Sequence, residues 1–179
     1  MSTWSSCVSQ RAEPRRVLVL GLGNILRGDE GLGVHALKRL VDRYDLAPEV
    51  ETIDGGTLGL DLLPYLEGTS ALLVIDAVQA RGAPGSLVRL QDDEIMPALA
   101  VKLSLHQAGL RELLATSRLL GTYPPLVVLW GIEPGDIDWT TELSAPVAAS
   151  LDALVDAVTG ELRAWGAVSR ETHAQVRTA

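Results

Sequence analysis

The sequence predicts an α/β protein, a three-layer α/β/α domain on a five-stranded, mostly parallel sheet with helices on both faces. Three observations predict it. Five short apolar runs, at 17–20, 50–53, 71–75, 87–90 and 126–130, have the length of strands. Segments with apolar residues three or four apart, the helical period, alternate with them. The first, third and fifth runs are apolar without alternation, as expected of strands covered on both faces.

Each element has its own signal. The run "VLVL" enters the glycine stretch "GLGNILRGDEGLGV", and Val34, Leu37, Leu40, Val41 and Tyr44 then line one face of a helix. The second run ends in "DGGT", where Thr57 is a candidate N-cap for a turn with Leu62, Leu63 and Leu66 facing inward. The third run, "ALLVI", ends at Asp76, and the fourth follows "APG" so closely that one neighbouring pair is expected to be antiparallel. Residues 105–115 form a further helix, with Leu105, Ala108, Leu113 and Leu114 on its apolar side. The longest stripe is Val147, Leu151, Leu154, Val155, Val158, Leu162 and Trp165, with Pro146 near the helix start. Residues 1–15 and 167–179 are polar and lack apolar period. They are expected to be flexible tails around a single domain over 16–166.

Composition narrows the function. Of 179 residues 47% are hydrophobic, which suits one packed core. A net charge of −8 and a pI of about 4.8 argue against a nucleic-acid binder; a cation or a basic peptide segment is the better match. The single cysteine, Cys7, allows no disulfide within the chain and no thiolate zinc cluster, and fits a reducing cytoplasm. No apolar run approaches the roughly 20 residues of a membrane helix, and no secretory signal opens the chain. A soluble cytoplasmic protein with no membrane partner is expected. It is expected to be a monomer too, because no apolar helix seam is left over after the core.

The chemistry gathers where such sheets bind ligands, beyond the carboxyl ends of the strands. Asp29 and Glu30 follow the first strand, Asp54 ends the second, Asp76 the third, and Glu133 follows the fifth. A dinucleotide site fits poorly. The fingerprint G-x-G-x-x-G has Leu26 in place of its third glycine, and two acids would oppose the pyrophosphate at the helix start. A divalent cation fits better, held by Glu30, Asp76 and His106 of "LSLHQAGL". His106 by itself reads equally well as a helix-end histidine bonded to backbone. His35 reads as partly exposed helix surface, and His173 lies in the C-terminal tail.

Taken in order, "LGLGNILRGDEGLGVHAL", "VETIDGGTLGLDLL", "LLVIDAV" and "LSLHQAGL" resemble the nickel–iron hydrogenase maturation endopeptidases across about residues 16–165. The resemblance implies a single α/β/α domain with a five-stranded twisted sheet and no organic cofactor. It implies an endopeptidase that clips a short C-terminal peptide from the hydrogenase large-subunit precursor after nickel insertion. It assigns the metal-contacting trio to Glu30, Asp76 and His106, with the nickel carried by the substrate, and makes Asp54 important for proteolysis. Asp29 would shape the loop beside Glu30. With no G-x-S-x-G elbow and no H-E-x-x-H helix, hydrolysis is expected to be of the aspartic or metal-assisted kind. Asp54 is the first choice of base, and Glu30 and Asp76 are the other catalytic carboxylates. The rival is a nickel-sensing chaperone that binds the precursor without cutting it.

Overall fold

The computed structural model describes residues 16–99 and 105–171, the side chains of 105–107 and 169–171 excepted. Its elements are β1 (Val17–Leu22), α1 (Leu32–Arg43), β2 (Tyr44–Leu46), β3 (Val50–Gly56), α2 (Leu63–Leu66), β4 (Ala71–Ala77), β5 (Leu87–Gln91), α3 (Ile95–Ala98), α4 (Leu105–Leu120), β6 (Leu126–Ile132), α5 (Ala145–Ala164) and β7 (Val168–Glu171). The five-stranded sheet has the order β3-β1-β4-β6-β5. Every pair is parallel except β5–β6.

The unbroken apolar runs at 17–20 and 71–75 form the middle of the sheet because they have cores above and below. Val17, Val19, Leu73 and Ile75 meet Leu32, Ala36 and Leu40 of α1 and Leu154, Val158 and Leu162 of α5. Leu18, Leu20, Leu72 and Val74 meet Leu62, Leu66, Ile95, Leu110, Leu113 and Leu114 on the other face. Each fully buried leucine contributes about 1.5–3 kcal/mol of transfer free energy, so the two layers hold the strand ends in fixed register. No helix among the described residues is long and apolar enough to cross a membrane.

The expected antiparallel neighbouring pair forms, between β5 and β6. Two other expectations shift. Thr57 is not an N-cap. The turn Gly59–Leu62 starts from Leu58 without a side-chain cap, although Leu62 and Leu66 are buried as expected. The C-terminal boundary moves outward from 166, because β7 pairs antiparallel with β2, Tyr44 facing Glu171. Residues 1–15 and 172–179, and with them Cys7 and His173, lie outside the described residues.

Two glycines bring the first loop close to the sheet. Gly23 has φ +120°, and a Cβ there would collide with the Glu30 carbonyl. A Cβ on Gly33 would collide with the carbonyls of Leu22 and Ile75, so the start of α1 rests directly on the ends of β1 and β4.

Candidate active site

Parallel register fixes the acids relative to one another. Asp54 of β3 and Ile75 of β4 flank Gly21 of β1, and Asp76 follows Ile75, opposite Gly131 of β6. Glu30 sits in the tight turn Gly28–Gly31, which packs against β4. Glu30, Asp54 and Asp76 are therefore gathered at the carboxyl ends of three adjacent strands. Sequence reasoning found this rim because strand ends are where such sheets carry ligands.

Their surroundings differ. Asp76 is fully buried, and its Oδ1 accepts from the Ala77 N–H at 2.7 Å. Glu30 is also buried; its Oε2 lies 3.8 Å from Arg27 Nε. Asp54 is exposed, and its Oδ1 accepts from the Gly56 N–H at 3.1 Å. Asp54 lines a shallow cleft of about 250 Å³ with Asn24, Ile25, Val34 and Thr57.

His106 belongs to the first turn of α4, and its side chain lies outside the described residues. The helix start is nevertheless placed. A Cβ on Gly109 would come within 3.0 Å of the Gly59 Cα, so the first turns of α4 lie against the loop that follows Asp54. Among the described side chains no group of three His, Cys, Asp or Glu forms a metal cluster. The two buried carboxylates suit a hard or borderline cation as far as they go, being oxygen donors held on rigid elements. His35 is partly exposed on α1, as expected.

Asp29 builds the wall of the site. It is fully buried and accepts four hydrogen bonds: from the N–H groups of Gly135 and Asp136 (2.8 Å each) and from the N–H and hydroxyl of Ser144 (2.7 Å each). The β1 loop is thereby tied to the β6–α5 loop, reinforced by the Gly28 N–H donating to the Thr140 carbonyl at 2.7 Å. Glu133 does the same for the β4–β5 loop, accepting from Ala80 at 2.6 Å and Gly82 at 3.1 Å.

Sequence reasoning missed Arg27 and Trp139. Arg27 reaches Glu30, donates to the Ile137 carbonyl at 3.3 Å, and lies 5.7 Å from the Trp139 ring. Trp139 is 79% exposed, and Ile25 and Leu26 are exposed on the β1 loop. The i,i+3 spacing of Arg27 and Glu30 was a usable signal. Nothing local marks Trp139, which the β6–α5 loop delivers from more than a hundred residues away.

Residues 34–161 match the family model described as HycI, hydrogenase maturation protease. The chain belongs to the hydrogenase maturation protease family. The hydrogenase expression/formation protein HupD of Rhodobacter capsulatus is 44% identical over 157 residues, covering 86% of this chain and 74% of its own length. The hydrogenase 2 maturation protease of Escherichia coli is 37% identical over 159 residues, covering 87% and 97%. The solved structure of the E. coli hydrogenase-maturating endopeptidase HybD superposes with a TM-score of 0.84 at 35% identity, covering 88% of this chain and 98% of that one. The three-layer fold with its mostly parallel sheet is thus the maturation-protease fold, and the protein is a peptidase.

Proposed function

We propose that this maturation protease removes a short C-terminal peptide from the large-subunit precursor of a nickel–iron hydrogenase, in the cytoplasm and as a monomer, once nickel has been inserted. The observation that carries it is the gathering of Glu30, Asp54 and Asp76 at three adjacent strand ends, two of them buried and one open to a cleft.

The nickel is the substrate's own cargo. Glu30, Asp76 and His106 dock against it, and the protein needs no resident metal or organic cofactor. Docking orients the scissile bond over the rim, so a precursor without nickel loses both affinity and alignment. Asp54 stands beside the cleft, with Oδ1 held by the Gly56 N–H, and takes the proton from the attacking water. Family membership favours cutting over the chaperone alternative.

The test is mass spectrometry of the large-subunit precursor, nickel-loaded and metal-free, after incubation with the protein. Loss of the C-terminal peptide from the loaded form alone is expected. Equal cleavage of both forms overturns nickel gating, and a stable complex of unchanged mass overturns proteolysis. Asp54→Asn should still bind loaded precursor while cleaving it about 10²–10⁴-fold more slowly. Wild-type cleavage by that variant removes Asp54 as the base.

A further inference from the structure

The sheet has one edge that leads into the site. β3 pairs only with β1 among the described residues and carries Asp54 near its carboxyl end. Its hydrogen-bond phase follows from parallel-sheet geometry, in which a residue bonds to the neighbours on either side of its partner. Val17 is partnered with Val50, and its N–H donates to the Glu49 carbonyl at 3.0 Å. Glu51 and Ile53 therefore turn their backbone groups toward β1, whereas Val50, Thr52 and Asp54 turn theirs outward. The Val50 N–H is used within its own turn, donating to the Ala47 carbonyl at 2.9 Å. The Val50 carbonyl, both groups of Thr52 and the Asp54 N–H are left along about 13 Å of edge. No backbone partner for them occurs among the described residues.

Natural edges of this kind are usually blunted by lysine, proline or a covering element. β3, "VETIDGG", carries neither lysine nor proline. It also joins two hollows. One, of about 300 Å³, is lined by Arg16, Pro48, Glu49 and Glu51 at its start; the other is the Asp54 cleft at its end.

We infer that the outer edge of β3 docks the extended segment of the precursor that carries the scissile bond, main chain to main chain, as an added strand. This rests on the proposed function above. A peptidase needs an extended backbone, and an unpaired edge supplies complementary donors and acceptors whatever the side chains are. It also supplies a ruler. Pairing repeats every two residues, so the register on Thr52 decides which peptide bond lies beside Asp54.

Thr52→Pro tests it. The Thr52 N–H points away from β1, so proline removes an outward donor and obstructs the edge while leaving the β1–β3 ladder intact. The expected result is a rise of about tenfold or more in KM for nickel-loaded precursor. Thr52→Val, which keeps the N–H, should stay within about twofold. Wild-type KM for Thr52→Pro overturns the inference. So does a comparable loss in Thr52→Val, which would assign the effect to the side chain. Should Thr52→Pro fail to fold, hydrogen exchange on Asp54→Asn bound to loaded precursor replaces it. Slowing of the Thr52 amide by about tenfold supports the edge, and unchanged exchange overturns it. If the wild-type protein leaves loaded precursor uncut, the proposed function fails; if it cuts and Thr52→Pro is unaffected, only the docking edge fails.

Discussion

Asp29 and Glu30 are neighbours in the chain, alike in charge and both buried, yet the two walls they belong to do different work. On the β6 side, Asp29 takes four hydrogen bonds and Glu133 two, all but one from backbone N–H groups of loops. On the β1–β3 side, among the described residues, the Glu30 carboxylate meets only the Arg27 guanidinium at 3.8 Å, and Asp54 takes a single bond from its own turn. A carboxylate whose lone pairs are filled by its own protein builds a wall. One whose lone pairs are largely open has capacity for a ligand.

The sharpest way to break this contrast is Asp29→Ala. It leaves the part-buried amides of Gly135, Asp136 and Ser144 without their acceptor. The expected loss is about 1.5–3 kcal/mol, a sizeable share of the total stability of a domain this size. Urea unfolding measures it. A loss below about 1 kcal/mol would mean that water replaces Asp29 cheaply and that the wall is not built by this residue.

Glu30→Gln should do the reverse. The amide keeps the shape and gives up the charge, so the unfolding midpoint should stay within about 0.5 kcal/mol of wild type. Cleavage of nickel-loaded precursor should fall by about 100-fold or more, since replacing even an outer partner of a metal ligand costs 10–100-fold. Paired measurement of stability and rate on both variants decides the matter. If Glu30→Gln destabilises as much as Asp29→Ala, the two acids are one structural staple and the distinction collapses.

The same contrast explains what could be read from the chain alone. The inner strands were legible because their apolar runs are local and buried on both faces, as Val17–Leu22 and Ala71–Ala77 are; the half-exposed edge strands β3 and β5 showed only as short apolar runs. The rim acids were legible because strand ends are visible in sequence. The β2–β7 ribbon was not. Tyr44–Leu46 is three residues long with one buried side chain, and it becomes a strand only through a partner far along the chain. Asp29 was expected to shape its loop, but its acceptor role depends on residues more than a hundred positions away. The β5 pairing with β6 was hidden for a similar reason. "APG" announces a turn but not which neighbour the strand will reach after it.

A third kind of carboxylate sharpens the comparison at smaller cost. Glu161 of α5 is saturated chiefly by a cation: Arg89 of β5 donates to Oε2 at 2.8 Å and to Oε1 at 3.0 Å, and Trp130 Nε1 donates to Oε2 at 3.1 Å. The Arg89 hydrogen bond holds the Glu161 carboxyl below the usual glutamate range, against burial that pushes it up, and Trp130 adds to the lowering. A pKa lower in the folded than in the unfolded chain contributes stability above the unfolded value of about 4.3 and loses it as pH falls through the folded value. Because Arg89 is partly open to solvent, the pair should contribute about 1 kcal/mol at neutral pH. Glu161→Gln should therefore unfold earlier in urea at pH 7, and its curve should meet that of wild type in acid, once Glu161 is protonated. Its cleavage rate at pH 7 should be unchanged, because the pair ties β5 to α5 and touches neither wall of the site. A gap that persists undiminished into acid would assign the Glu161 contribution to packing, unlike that of the amide-filled Asp29 and Glu133.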